Sequence, residues 1–149
     1  MALIIFTDGA ALGNPGPMGI GIVIYRGGKK AGEMSEYLGE GTNNVAEYTA
    51  VIRALEYAKA GGDKEVHVKS DSQLIVRQLN GEYKVKDAKL KPLKRKIESL
   101  REGMSVRFEH IPREQNGEAD ALSKEAAEAG KKAKREAKRT GQQKLMVFA

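Results

Sequence analysis

The spacing of hydrophobic residues along the chain first predicts strands. Residues 3–8 are almost continuously apolar, which is typical of a strand covered on both faces of a sheet. Further strands are predicted over residues 19–25 and 31–38, and Arg26 to Lys29 has the glycine-rich composition of a hairpin turn. The first part of the chain is therefore expected to form an antiparallel meander.

After Gly41 the hydrophobic residues recur at the spacing of a helix. Two more strands, over residues 65–70 and 106–111, alternate with segments of helical spacing. The predicted helices are a helix capped by Thr42 or Asn43 and stopped at Gly61, a short helix from Ser72 to Leu79, one from Pro92 to about Arg101 and one from Glu118 to about Arg139. This order predicts an α/β fold with a five-stranded mixed sheet, the antiparallel meander plus parallel strands, flanked by helices.

Composition narrows the class of protein. A chain of 149 residues with 40% hydrophobic residues is expected to fold as one domain with its own core. It contains no cysteine, which excludes disulfides, thiolate metal sites and cysteine catalysis. The start of the chain lacks the pattern of a signal peptide and no segment is long and apolar enough to cross a membrane, so a cytoplasmic protein is expected.

The positive charge is concentrated near the end of the chain. The formal net charge is +6, and residues 124–149 carry eight basic and three acidic side chains. A basic segment of this kind favours a polyanion such as nucleic acid, although a solvated charged helix has the same composition.

Four carboxylates stand at the ends of predicted elements. Asp8 and Asp71 end strands, whereas Glu47 and Asp120 lie in the first turns of helices. Each position is also common for a cap or a helix-dipole contact with no further role. If the four converge at one edge of the sheet, their mutual repulsion requires a divalent cation, and oxygen ligands suit Mg²⁺ or Mn²⁺.

Four motifs around these acids resemble those of type I ribonucleases H. They occur in the family's order over roughly residues 3–127: Phe6-Thr7-Asp8-Gly9 with Gly13-Asn14-Pro15-Gly16-Pro17 and Gly19-Ile20-Gly21, Thr42-Asn43-Asn44-Val45-Ala46-Glu47-Tyr48, Ser70-Asp71-Ser72-Gln73-Leu74, and Pro112-Arg113-Glu114-Gln115-Asn116 with Glu118-Ala119-Asp120-Ala121-Leu122. The resemblance implies the ribonuclease H-like fold.

The resemblance also implies a function. It makes Asp8, Glu47, Asp71 and Asp120 the catalytic, metal-binding acids of an endoribonuclease that hydrolyses the RNA strand of RNA–DNA hybrids. Two Mg²⁺ ions, with Mn²⁺ as a substitute, are implied, and the products carry 5′-phosphate and 3′-hydroxyl ends. A hybrid-binding module without catalysis and another nuclease of the same fold are the alternatives.

Substrate contacts are carried over from the same motifs. Asn14, Asn43 and Gln73 match family positions that contact the hybrid, and Thr42 matches one that helps to hold a phosphate of the DNA strand. Helix capping and loop ordering are alternative or additional roles of Thr42, Asn43 and Asn14.

One family position is ambiguous here. Many members place a histidine, proposed to aid proton transfer or product release, in a longer loop before the last acid. Counting back from Asp120 without gaps aligns His110 with it, whereas aligning the strands leaves Arg113 to fill the role. We favour Arg113, because it lies in the loop itself.

The end of the chain lies outside the resemblance. We divide the sequence into a catalytic domain, residues 1–127, and a basic helical extension with an apolar tail, residues 128–149. Thr140 and Gly141 are expected to end the helix. Gln142, Leu145 and Phe148 are spaced like a peptide that docks on sliding clamps, but we favour a strand or clasp on the protein's own surface. A monomer is expected.

Overall fold

The computed structural model describes the backbone of residues 2–148 and the side chains of residues 2–140. Its five strands and four α-helices follow the order predicted from the sequence, and a short 3₁₀ turn at Arg113–Gln115 precedes the last helix. The elements are β1 (Leu3–Ala11), β2 (Gly16–Arg26), β3 (Lys29–Gly41), α1 (Asn43–Ala60), β4 (Glu65–Ser70), α2 (Gln73–Leu79), α3 (Lys91–Leu100), β5 (Ser105–His110) and α4 (Gly117–Phe148).

The strands form one mixed sheet in the order β3-β2-β1-β4-β5. The pairs β1–β2 and β2–β3 are antiparallel, whereas β4 pairs in parallel with both β1 and β5. This is the predicted α/β fold with its meander and parallel strands. The main core lies between the sheet and helices α1 to α3, with Ile5, Ile22 and Leu55 fully buried.

Helix α4 packs on the opposite face of the sheet, against glycines of β2. A Cβ atom on Gly21 would lie 2.1 Å from the carbonyl oxygen of Ala119, and one on Gly19 would lie 2.2 Å from that of Ser123. The missing side chains therefore let the helix backbone rest directly on the strand. This close approach determines how far Asp120 stands from β1.

The end of α4 differs from the sequence prediction. The helix continues through Gly141 to Phe148, so the predicted break at Thr140 and Gly141 is wrong, and no strand forms from the tail within the described backbone. A single glycine costs about 1 kcal/mol in a helix, which strong helix formers on both sides can offset. The predicted clasp or clamp contacts of Leu145 and Phe148 involve side chains outside the described residues.

The division after residue 127 coincides with no break in α4. Gly130 is buried against the ring of Tyr37, and Lys134 forms a 3.1 Å ion pair with Glu40 of β3. The beginning of the extension is thus held on the same sheet as the rest of the chain. Over the described part of the chain, no helix combines the length and apolar character needed to cross a membrane.

Candidate active site

Asp8 and Asp71 meet at the point where the parallel ladder between β1 and β4 ends. The last residue pair of that ladder is Thr7 with Ser70, so Asp8 and Asp71 are the next residues on two neighbouring strands. Asp8 remains paired with Gly21 of β2 and is only 4% exposed. Parallel pairing thereby carries both carboxylates to the same edge of the sheet, which is the convergence that the sequence analysis treated as a condition.

Glu47 reaches this edge from the first turns of α1. The Thr42 hydroxyl caps that helix by accepting a 3.2 Å hydrogen bond from the Val45 amide. Helix α1 lies almost in contact with β1, because a Cβ atom on Gly9 would be 2.3 Å from the carbonyl carbon of Ala46. The nearby Gly9 backbone acts to lower the pKa of the Glu47 carboxyl.

Three of the four predicted acids form a compact group of oxygen atoms. Asp8, Glu47 and Asp71 each place a carboxylate oxygen within 4.8 Å of the others. Asp120 lines the same cleft, and its Oδ2 accepts a 2.9 Å ion-pair contact from Lys124 Nζ. The fourth acid is thus beside the group, with one oxygen engaged by a neighbouring cation.

Two buried side chains that the sequence analysis did not single out hold these acids. Ser123 Oγ donates a 2.6 Å hydrogen bond to Asp8 Oδ2. Asn116 Nδ2 donates at 2.9 Å to the Thr7 carbonyl and at 3.3 Å to Asp71 Oδ2. Asn116 belongs to the fourth motif and Ser123 directly follows it, but serine in a helix and asparagine in a turn are common, and only the packing of α4 on β2 reveals their partners.

Burial and crowding oppose ionisation of two of the acids. Burial raises the pKa of Asp8 from 3.8 to about 7, and the charges of Asp71 and Asp120 act in the same direction, while the Ser123 hydrogen bond opposes them. Burial also raises the pKa of Glu47 well above its ordinary value, and the neighbouring charge of Asp8 adds to this. A group of this kind favours a bound cation, since a cation lets all the carboxylates ionise together.

The acids line an open cleft of about 600 Å³. Its wall also includes Ala11 at the end of β1, Leu12 directly after it, Asn43 at the start of α1, and Arg113. Arg113 lies in the 3₁₀ turn before α4, so the loop residue favoured from the sequence does face the cleft. His110 is the last residue of β5, is exposed, and is not among the described residues that line the cleft.

Among the predicted substrate residues, Asn43 lines the cleft, and Asn14 and Thr42 adjoin it at the same rim. The Asn43 amide donates a 3.1 Å hydrogen bond to Asn14 Oδ1, and Asn43 Oδ1 accepts a 2.8 Å bond from the Ala11 amide. These bonds join the loop after β1 to the start of α1, next to the Thr42 cap. Gln73 is the exposed first residue of α2, beside Asp71 in sequence but outside the described lining.

The donor set fits a hard divalent cation. Asp8, Glu47 and Asp71 supply only oxygen atoms, which Mg²⁺ and Mn²⁺ prefer, and the chain has no cysteine. The raised pKa values of Asp8 and Glu47 are the expected property of such a site without its cation. The residues present therefore fit the metal that the sequence analysis expected.

Comparison with known sequences identifies relatives over most of the chain. Residues 6–126 match a protein-family model described as reverse transcriptase-like. Ribonuclease HI of Halobacterium salinarum is 39% identical over 81% of this chain, and the bifunctional protein Rv2228c of Mycobacterium tuberculosis is 36% identical over 87%. The match spans 62% of the first relative's length and 36% of the second's.

Two solved structures have this fold, and the match extends over almost the whole of each solved chain. The LC11 ribonuclease H1, crystallised in complex with an RNA/DNA hybrid, is 50% identical with a TM-score of 0.81, over 86% of this chain and 98% of that one. The ribonuclease H1 of Halobacterium salinarum is 37% identical with a TM-score of 0.83, over 87% and 99%. The sheet order, the acidic group and these relatives all point to the same family. The chain belongs to the type I ribonuclease H family.

Proposed function

We propose that this protein is a metal-dependent endonuclease that hydrolyses the RNA strand of RNA–DNA hybrids. The observation that carries the proposal is the group formed by Asp8, Glu47 and Asp71, whose carboxylate oxygens lie within 4.8 Å of one another in an open cleft. Family membership supports the reaction class, and the hybrid bound to the LC11 relative supports the substrate.

The acids would hold two Mg²⁺ ions, for which Mn²⁺ could substitute. Metal held there would supply the chemistry that activates water and neutralises the charge on the departing 3′ oxygen, and the expected products carry 5′-phosphate and 3′-hydroxyl ends. The contribution of this chain is to fix the ligands before substrate arrives. Ser123 orients Asp8 through a buried hydrogen bond and Asn116 orients Asp71 through a partly buried one, which restricts both carboxylates before binding.

Asp120 and Arg113 extend the site on the side of α4. Asp120 is proposed as the remaining metal-binding acid, and it would exchange its contact with Lys124 for a cation when metal binds. Arg113 is exposed at the edge of the cleft, where a guanidinium can approach a phosphate oxygen. We assign to Arg113, rather than to His110, the role of assisting turnover.

Hybrid recognition is proposed to use the rim formed by Asn14, Asn43 and Thr42, together with Gln73 at the start of α2. Amide and hydroxyl groups can contact the 2′-hydroxyls and phosphates that distinguish an RNA strand from DNA, without reading sequence. Asn14 and Asn43 are already joined by a hydrogen bond, so the rim is ordered in advance. A cytoplasmic monomer stays the expected form of the protein.

A cleavage assay with four substrates tests the proposal. End-labelled RNA–DNA hybrid, duplex RNA, duplex DNA and single-stranded RNA are incubated with the protein, with Mg²⁺ or with EDTA. We expect cleavage of the RNA strand in the hybrid alone, only with Mg²⁺, and 3′-hydroxyl products.

The matched control is Asp71→Asn, which keeps the shape of the side chain and removes one negative ligand. It should bind hybrid in EDTA as well as the wild type does but should not cleave it. Cleavage of duplex DNA by the wild type would indicate a different nuclease of this fold, and binding without cleavage would indicate a hybrid-binding module.

A further inference from the structure

A second groove continues from the active-site cleft along α4. It has a volume of about 690 Å³, and it shares Leu12 and Glu128 with the cleft that contains the acids. Its other lining residues are Glu125, Ala129, Lys131, Lys132, Arg135, Glu136 and Arg139. The two grooves therefore form one continuous surface that leads from the carboxylates on to the basic extension.

Three cations form a row on this surface. Lys131, Arg135 and Arg139 are spaced four residues apart, so their side chains lie one above another on the same face of the helix. We call them the α4 basic row. Among the described side chains, Lys134 forms an ion pair with Glu40, but no residue of the row forms one.

The positive charge of residues 129–140 is not balanced by acidic side chains within the same segment. Residues 129–140 contain six basic side chains and a single acidic one, Glu136, while Glu125 and Glu128 lie nearer to the cleft. Side chains of the row are exposed except for Lys131, which is half-buried. An exposed run of cations beside a nuclease cleft attracts the phosphates of a nucleic acid.

The row is held in a fixed position relative to the acids. Gly130 lets Tyr37 pack against the helix backbone, and the ion pair between Lys134 and Glu40 ties the next turn to β3. A helix rises 1.5 Å per residue, so Asp120 and Arg139 are separated by about 28 Å along α4. A nucleic-acid strand rises 3.4 Å per nucleotide, so this distance corresponds to roughly eight nucleotides.

We propose that the α4 basic row binds the phosphate backbone of the hybrid beyond the cleft. This inference rests on the proposed function and adds to it a second contact region, which lengthens the footprint without reading sequence. Lysine and arginine at this spacing would meet phosphates and release their counterions, so the contribution is strongly salt-dependent. It should affect substrate capture rather than the chemical step.

The test compares Lys131→Gln/Arg135→Gln/Arg139→Gln with the wild type. The dissociation constant for hybrids of roughly 18 and roughly 6 base pairs is measured in EDTA at several salt concentrations, since only the longer one reaches from the acids to Arg135 and Arg139. We expect the triple variant to bind the longer hybrid about tenfold more weakly, with a salt slope smaller by about 2 to 3. Binding of the short hybrid should stay within about twofold, as should kcat with Mg²⁺.

The matched control is Lys29→Gln/Lys59→Gln/Lys64→Gln, which removes the same charge at the opposite end of the sheet. It should change binding of the long hybrid much less, and circular dichroism should show α4 intact in both variants. Equal effects of the two triples, equal loss on short and long hybrids, or an unchanged salt slope would each overturn the inference. Failure of the wild type to cleave any hybrid would instead overturn the proposed function.

Discussion

Ser123 Oγ lies 2.6 Å from Asp8 Oδ2, and both side chains are buried. The same hydroxyl lies 2.8 Å from the Asp120 carbonyl oxygen. A serine has one proton to donate, and a hydrogen bond to an ionised carboxylate is stronger than one to a neutral group. The bond to Asp8 is therefore strongest when Asp8 is ionised, which is the state that binds metal. One residue of α4 thus links the carboxylate of the first strand to the helix that carries the last acid.

Replacing Ser123 by alanine should weaken metal binding. Asp8 would lose the hydrogen bond that lowers its pKa, so it would ionise less readily at neutral pH. We expect the Mg²⁺ concentration for half-maximal activity to rise by about tenfold, with kcat largely recovered at saturating Mg²⁺. Isothermal titration with Mg²⁺ and activity as a function of Mg²⁺ measure this.

Ser35→Ala is the matched control, because the Ser35 hydroxyl also bonds to α4, at the Leu122 carbonyl, away from the acids. If it shifted the Mg²⁺ requirement as much as Ser123→Ala does, general loosening of α4 would explain both, and the specific role of Ser123 would be wrong.

Without divalent metal, the free energy of unfolding should fall as pH rises from about 4 to about 7. Asp8 has a pKa of about 7 in the folded protein against 3.8 as the ordinary value, so the folded state holds a proton that the unfolded chain has released. For Asp8 alone this amounts to at most about 4 kcal/mol. Urea unfolding in EDTA at several pH values should show the fall, and Mg²⁺ should reverse it.

The Asp8→Asn variant should flatten this pH dependence and be more stable than the wild type at pH 8 in EDTA. Glu82→Gln removes an exposed carboxylate elsewhere and serves as the control. A steep pH dependence that persists in Asp8→Asn would assign the effect to Glu47 instead, whose pKa is also raised by burial.

Arg113→Ala should slow turnover more than His110→Ala. Arg113 lines the cleft, whereas His110 ends β5 in register with Ser70 and is outside the described lining. We expect kcat to fall by about a hundredfold for Arg113→Ala, the lower end of what a positioned general acid–base or charged group contributes. A larger effect of His110→Ala, with loss of a titrating limb near neutral pH, would reverse the assignment.

Gly21→Ala should both destabilise the fold and reduce activity. Its Cβ would lie 2.1 Å from the Ala119 carbonyl oxygen, so α4 must move and take Asp120 with it. Overpacking of this kind costs about 1–3 kcal/mol. Gly32→Ala in β3 is the control, since its Cβ would meet only Ile24 Cδ1 at 3.9 Å. Thermal unfolding and activity are measured for both variants. If Gly21→Ala matched Gly32→Ala in both measurements, the prediction would be wrong.

The strand-end acids could be predicted from the sequence because β-pairing is regular. Once residues 3–8 and 65–70 are parallel neighbours, Asp8 and Asp71 must emerge at one edge. The helix starts at Thr42 and Ser72 could also be predicted from the sequence, because each hydroxyl accepts a hydrogen bond from the amide three residues later in the chain. These features depend on local chemistry or on ladder geometry.

Other features depend on contacts between distant parts of the chain. The bonds of Ser123 and Asn116 join residues 115 and 109 positions away, which no local pattern reveals. The contact of Gly21 with α4 could not be predicted for the same reason, because a glycine within a strand indicates only a locally weakened strand. The helix end was predicted wrongly at Gly141, where the composition on both sides outweighed one helix breaker.

The order of the acids along the chain has a consequence for biosynthesis. Asp8 is translated well before the helix that supports it and carries Asp120, because that helix begins only at Gly117. A nascent chain that has not yet released α4 from the ribosome therefore lacks the fourth acid and the hydroxyl donor to the first. The proposed activity therefore requires α4 to be synthesised and docked on the strand glycines Gly19 and Gly21.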